Sequence, residues 1–202
     1  NDNWHGEVWN QRRNGEIYPC WLTITVVRDP QGTITNYVGT IIDITQRKQA
    51  EEEIERLAYY DPLTHLPNRR LLLDRLRQAC VASGQNQQVG ALLFIDMDNF
   101  KFLNDTQGHD KGDQLLQQVA SRLRNQVRET DTVSRLGGDE FVVMLESLGA
   151  DIADAATYAR SIGDKVLASL QAPYELGCYV HHCTSSMGVT LFRGRDNSVE
   201  EI

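Results

Sequence analysis

Two pairs of acids carry most of the chemistry this sequence could do. Asp139 and Glu140 follow a Gly137-Gly138 pair set between apolar, β-branched runs in 132–145. Gly-Gly between such runs signals a β-hairpin. Glycine also lets a backbone take positive φ and lets a ligand come close. Asp96 and Asp98 close a second apolar run, GALLFID over 90–96, which reads as a buried central strand. Carboxylates at the ends of a central strand and a hairpin can seat divalent cations and the phosphates they carry. Two-metal phosphoryl transfer needs that arrangement: one ion activates a hydroxyl and the other steadies the leaving oxygen. Taken singly, the Gly-Gly pair would be an ordinary hairpin. Cys178 and Cys183 flank His181-His182, but their spacing fits no zinc pattern, so all four cysteines read as free thiols.

The segments that must hold these acids alternate between helix and strand. Strands are expected over 6–10, Ile17–Arg28 and 34–44, with turns at Arg13-Asn14-Gly15 and Asp29-Pro30-Gln31-Gly32. A charged helix over 46–60 follows, capped near Asp43, with apolar residues near heptad spacing; it reads as a solvated linker or a dimerising stalk. Pro62 and Pro67 mark a loop before a helix over 68–83. A polar loop over 99–112 separates the strand at 90–96 from a helix over 113–127. The hairpin, a helix over 152–170 and a strand over 179–192 interrupted at 185–188 complete the chain. The pattern predicts an α/β sandwich, helices flanking a central mixed sheet.

The 202 residues suffice for one full domain and part of another, and carry a net charge of −8. That balance argues against nucleic-acid binding, which needs clustered Lys and Arg. No apolar run has transmembrane length and none reads as a signal peptide, so a cytoplasmic setting is expected, either free or as part of a membrane-anchored parent. The chain starts on Asn in mid-pattern, which suggests a piece of a longer protein.

Residues 1–45, with G-x-V-W-N-x-R-x-N-G-E-x-Y-P, then D-P-x-G-x-I-x-x-Y-V-G and Asp43-Ile44-Thr45, resemble the C-terminal half of a PAS sensory domain. From about residue 60 onward the resemblance is to the GGDEF domain of diguanylate cyclases. It rests on Asp61-Pro62-Leu63-Thr64, Leu66-Pro67-Asn68-Arg69, Phe94-Ile95-Asp96-Met97-Asp98, Lys101, Asn104-Asp105, Gly108-His109-Asp110, Gly112-Asp113 and Arg135-Leu136-Gly137-Gly138-Asp139-Glu140-Phe141. It implies a palm-like fold, like that of nucleotide cyclases, over 61–202. The implied reaction condenses two GTP into cyclic di-GMP and two pyrophosphates across a homodimer.

The same resemblance implies the site. Asp96, Asp139 and the carbonyl of Met97 would hold two Mg²⁺ or Mn²⁺ ions. Asp139 would also accept the ribose 3′-hydroxyl proton, with Glu140 in support. Gly137 and Gly138 would bring the backbone to the substrate, and Lys101 would meet phosphoryl charge, although alone it reads as a surface lysine. Asn104 and Asp113 would read guanine, with Asp113 alternatively a helix N-cap. His109 reads as a substrate contact or a structural histidine. Arg128-Glu129-Thr130-Asp131, with five residues between Asp131 and Gly137, would bind cyclic di-GMP as an inhibitory product site, with Arg160 as a secondary contact; alone it is a surface ion pair.

Two departures stand out. His65 occupies a position where the family often has Gly, and the family continues with a helix whose Lys and Arg grip the triphosphate. A rival function is a regulatory module that binds GTP or cyclic di-GMP ahead of an EAL phosphodiesterase domain, suggested by 171–185.

Overall fold

A computed structural model describes residues 3–194. The chain divides into two compact units, Asn1–Arg56 and Leu57–Ile202. Residues 195–202, the end of the expected GGDEF region, lie outside the described residues.

The first unit is an antiparallel sheet of β1 (Asn3–Gln11), β2 (Ile17–Arg28) and β3 (Ile34–Asp43) in that order. Gly15 and Gly32, at φ 89° and 86°, take the left-handed turn positions that glycine favours. Asp29 closes the second turn by accepting from the amides of Gln31 and Thr33. Helix α1 (Thr45–Tyr59) starts where the Asp43 carboxylate accepts the Thr45 amide. The Thr45 hydroxyl and amide and the Arg12 guanidinium pull Asp43 down to about 2.

The second unit opens on Asn68, whose side chain accepts from the amides of Arg70 and Leu71 and caps α2 (Arg69–Asn86). Asn68 also donates from Nδ2 to the Ala58 carbonyl, tying the end of α1 to the start of α2. Next come β4 (Gly90–Met97), α3 (Phe100–Gln107), α4 (His109–Gln126), β5 (Thr132–Gly137), β6 (Glu140–Leu145) and α5 (Ile152–Gln171). The last described elements are β7 (Tyr174–Leu176), β8 (Tyr179–His181) and β9 (Ser185–Phe192). The central sheet has the order β5-β6-β4-β9.

Strand alternation sends side chains to opposite faces. Leu93, Ile95, Phe141 and Val143 pack with Leu115, Val119 and Leu123 of α4 and Val166 of α5. Leu92, Val142, Met144 and Phe192 pack with Leu72, Leu76 and Ala79 of α2. The expected α/β sandwich is found, with helices on both faces.

Three local expectations are corrected. Every described pairing in the central sheet is antiparallel, where a mixed sheet was expected. The β5–β6 hairpin folds back so that β6 lies between β5 and β4. The segment 99–112 is not a loop. It holds α3 and the first turn of α4, because Leu103 is buried while the polar residues around it face solvent. Two positive-φ residues, Asn99 and Gly108, punctuate those helices. Finally, 185–188 lies within β9, paired to β4; the break falls at 182–184.

Candidate active site

The β5–β6 turn is two residues long, Gly138-Asp139, closed by the pair Gly137 and Glu140. A register shift between Arg135 and Gly137 leaves Leu136 as an extra residue, a bulge that re-aims the strand end. Gly137 and Gly138 have φ of 150° and 53°, so both positions favour glycine.

Two glycines make a loose turn unless something holds it, and Arg135 does so. Its Nε and Nη2 donate to the Gly138 carbonyl at 3.0 and 2.7 Å. Its Nη1 donates to both Asp61 oxygens at 2.9 and 3.0 Å. The Arg135 amide donates to the Pro67 carbonyl. Asp61 also accepts from the Thr64 amide and hydroxyl. Burial would push the Asp61 carboxyl up, but Thr64 and Arg135 outweigh it and leave it below its usual range. The carbonyl preceding Asp139 is thereby tied to the loop that follows α1. The sequence alone gives Arg135 and Asp61 no separate role. The available signal was a lone guanidinium inside an otherwise uncharged strand run.

Asp96 sits in β4, exposed, directly opposite Glu140 on one side and Ser186 on the other. Its carboxyl is pushed up by burial first, then by the charges of Asp139, Glu140 and Asp98. The charges of the two segments therefore bear on one another. Asp98 is engaged elsewhere: the hydroxyls of Thr184 and Ser186 donate to it at 2.5 and 2.9 Å and hold it below its usual range. Met97 closes β4 with its side chain buried. A cleft of about 470 Å³ adjoins the acids, lined by Asp96, Glu140, Phe94, Leu136 and Gly188 among others.

No three His, Cys, Asp or Glu side chains among the described residues form a ready-made metal cage. The donor set still fits Mg²⁺, which takes one or two carboxylates and completes its shell with phosphate oxygens and water. Mutual repulsion at Asp96 is what a cation would relieve.

Lys101 is exposed in the first turn of α3. Asn104 is half-buried on α3 against Gly112 of α4. Asp113 is exposed inside α4, after its first turn, so the N-cap alternative is corrected: Gly108 holds that position and no side chain caps it. His109 is exposed at the start of α4, not packed as a structural histidine.

The Arg128–Asp131 pair is not a surface ion pair here. Asp131 accepts from the amides of Arg128 and Glu146 at 3.0 and 3.3 Å. The Arg128 guanidinium donates to the Tyr158 hydroxyl at 2.6 Å and lies 5.1 Å from the centre of its ring. Arg128, Asp131, Arg75 and Arg124 line a cleft of about 330 Å³. Arg160 is exposed on α5; the contact from that helix to Arg128 comes from Tyr158, which sequence reading missed.

Comparison with known proteins decides the family. Residues 58–202 match the model of the diguanylate cyclase GGDEF domain, and residues 1–46 match a PAS domain model. The chain belongs to the diguanylate cyclase GGDEF domain family. The GGDEF chain is 40% identical over 163 residues to MucR of Pseudomonas aeruginosa, a bifunctional diguanylate cyclase/cyclic di-GMP phosphodiesterase. That alignment covers 81% of this chain and 23% of MucR, so the chain spans about a quarter of that relative's length. The solved GGDEF domain of TpbB from Pseudomonas aeruginosa superposes with a TM-score of 0.62 at 40% identity, covering 66% of this chain and 76% of that one. DgcB from Caulobacter crescentus, solved as coiled coil and GGDEF domain in complex with c-di-GMP, has a TM-score of 0.63 at 25% identity, covering 78% of this chain and 81% of that one. Among the described residues no helix of this GGDEF chain is long and apolar enough to cross a membrane.

Proposed function

We propose that this chain is the catalytic part of a diguanylate cyclase, joining two GTP into cyclic di-GMP with release of two pyrophosphates. The observation that carries this is the meeting of Asp96 with Asp139 and Glu140 at one end of the sheet, beside a cleft. Asp96, Asp139 and the Met97 carbonyl are the residues that would hold Mg²⁺ or Mn²⁺. The ions supply charge neutralisation of phosphate and a lowered pKa for the attacking hydroxyl. Within the chain, Asp139 takes the ribose 3′-hydroxyl proton, Glu140 supports it, and Lys101 meets charge on the transferred phosphoryl. Asn104 and Asp113 accept the N–H donors of guanine. Each half-site reacts with a GTP held by a second copy, so bringing two loaded copies face to face supplies much of the rate.

Residues 1–45 serve as part of a PAS module, 46–60 as the helix leading to the catalytic region, and 61–202 as that region. Use of GTP places the reaction in the cytoplasm. Product binds back at Arg128 and Asp131, where a guanidinium can pair with phosphate and stack on guanine. Tyr158 must release Arg128 for this to happen. DgcB's complex with c-di-GMP supports this reading. Calorimetry with cyclic di-GMP should show binding to this chain and at least a tenfold loss in Arg128→Ala, about one charge-assisted hydrogen bond; equal affinities would sink the product site.

The test of the reaction is incubation with GTP and Mg²⁺ and chromatography of the product. Asp139→Ala should abolish cyclic di-GMP formation while GTP binding persists. Product formed equally by both would overturn the assignment. A second reading draws on the bifunctional name of MucR: GTP bound but never turned over would favour a regulatory role ahead of a phosphodiesterase.

A further inference from the structure

At the exit of β4, Asp98 is tied to the start of β9 by three hydrogen bonds. Its amide donates to the Thr184 carbonyl at 3.0 Å. Its carboxylate accepts the Thr184 hydroxyl on Oδ2 at 2.5 Å and the Ser186 hydroxyl on Oδ1 at 2.9 Å. Each carboxylate oxygen therefore has a hydroxyl of its own. Thr184 lies just outside β9, so Asp98 extends the grip of β4 on that chain past the last ladder pair, Met97 with Ser185. Beyond Asp98 the chain turns at Asn99, at φ 60°, and α3 begins at Phe100.

The peptide joining Met97 to Asp98 is planar and trans, so its carbonyl and its N–H point in opposite directions. The Asp98 N–H is turned toward β9, so the Met97 carbonyl is turned away from it. β4 runs between β9 and β6, so that carbonyl points to the β6 side. The ladder with β6 ends where Asp96 lies opposite Glu140. One residue further along, Met97 is level with Asp139 in the Gly138-Asp139 turn. A carboxylate can be re-aimed by a side-chain torsion. A backbone carbonyl moves only when its whole peptide turns, and here the peptide is held by Asp98.

We propose that Asp98 is a positioning residue for the divalent cation: its bonds to Thr184 and Ser186 hold the Met97–Asp98 peptide with the Met97 carbonyl facing the acid-bearing turn. This rests on the reading of Asp96, Asp139 and the Met97 carbonyl as the cation's ligands. Asp98 is then the acid of this group that serves the cation through a neighbour's backbone rather than through its own oxygens.

Mn²⁺ titrated without nucleotide and followed by the electron paramagnetic resonance signal of the free ion gives the affinity. The wild-type chain should take up Mn²⁺, and Asp139→Ala should abolish the uptake. Thr184→Val with Ser186→Ala keeps every charge and should weaken uptake about tenfold, the lower range for partners that orient a metal ligand. Thr184→Val alone, at an exposed position, should give part of that loss and keeps the test valid if the double variant folds poorly. Asp98→Asn and Asp98→Ala remove the same charge, but the asparagine amide can still bond both hydroxyls. Asp98→Asn should therefore bind Mn²⁺ more tightly than Asp98→Ala. Ser83→Ala is the control for a loosened β9: Ser83 Oγ accepts the Gly194 amide at the far end of that strand. It should lower Tm and leave Mn²⁺ affinity unchanged. Unchanged or tighter binding in the Thr184→Val, Ser186→Ala double variant, equal affinities in Asp98→Asn and Asp98→Ala, or an equal loss in Ser83→Ala overturns the proposal. A wild-type chain that takes up no Mn²⁺, or uptake indifferent to Asp139→Ala, overturns the cation reading itself, and this inference with it.

Discussion

The two units contain antiparallel sheets of similar width and opposite character. In the N-terminal sheet, Trp9, Tyr37 and Ile41 remain 74%, 67% and 53% exposed, and among the described residues the buried apolar ones of that unit are Cys20 and Ile44. In the second, Phe141, Val142, Val143 and Met144 of β6 are all essentially buried, because helices cover both faces. Three strands cannot bury much by themselves, whatever their propensity. A sheet that must hold charged side chains in fixed places needs packing on both sides, and here Asp96, Asp139 and Glu140 are on the sheet that has it.

The largest expected effect tests that contrast directly. Phe141→Ala should cost the second unit about 3–5 kcal/mol, while Tyr37→Ala should change stability by no more than about 0.5 kcal/mol. All three tryptophans, Trp4, Trp9 and Trp21, lie in the N-terminal sheet. Tryptophan fluorescence and far-UV helix signal in urea should therefore give separate transitions, with Phe141→Ala moving the helical one. One coincident transition shifted by both variants would break the comparison.

A smaller effect asks what holds the acid-bearing turn, since its glycines contribute nothing to the core. Arg135→Ala should cost about 2 kcal/mol, the range for hydrogen bonds to charged groups, and should lower cyclic di-GMP production. The clamp also has a pH signature. Asp61 titrates below its unfolded value of 3.8, so the folded state binds fewer protons there. Its contribution is present above about pH 4 and is lost as pH falls through the folded value. Melting of wild type against Asp61→Asn between pH 7 and 3 should show the gap closing on the acid side; a constant gap would contradict this.

The smallest effect is backbone strain beside the same clamp. His65 has φ 56°, a conformation that costs a non-glycine residue about 1–2 kcal/mol. Its amide donates to the Asp61 carbonyl, and its own carbonyl accepts from Arg124. His65→Gly should raise Tm by about 2–4 °C, allowing about 1 kcal/mol for what the imidazole contributes. A lower Tm would mean the side chain offsets the strain.

By itself the sequence determined the elements whose signals are local. The β2 bounds, the Gly-Gly turn, the apolar β4 run and the helix led by Asn68 are set by alternation, φ freedom and capping within a few residues. The order of motifs from Asp61 to Phe141 was enough to name the family. Only the tertiary structure decided what depends on distant partners. It made 99–112 two helices, because burial of Leu103 outweighed a polar composition. It placed Asp96 opposite Glu140 but gave Asp98 to Thr184 and Ser186. It joined Arg135 to Asp61, 74 residues apart, and Arg128 to Tyr158. Such contacts follow from strand order and helix packing, which no window of neighbouring residues encodes.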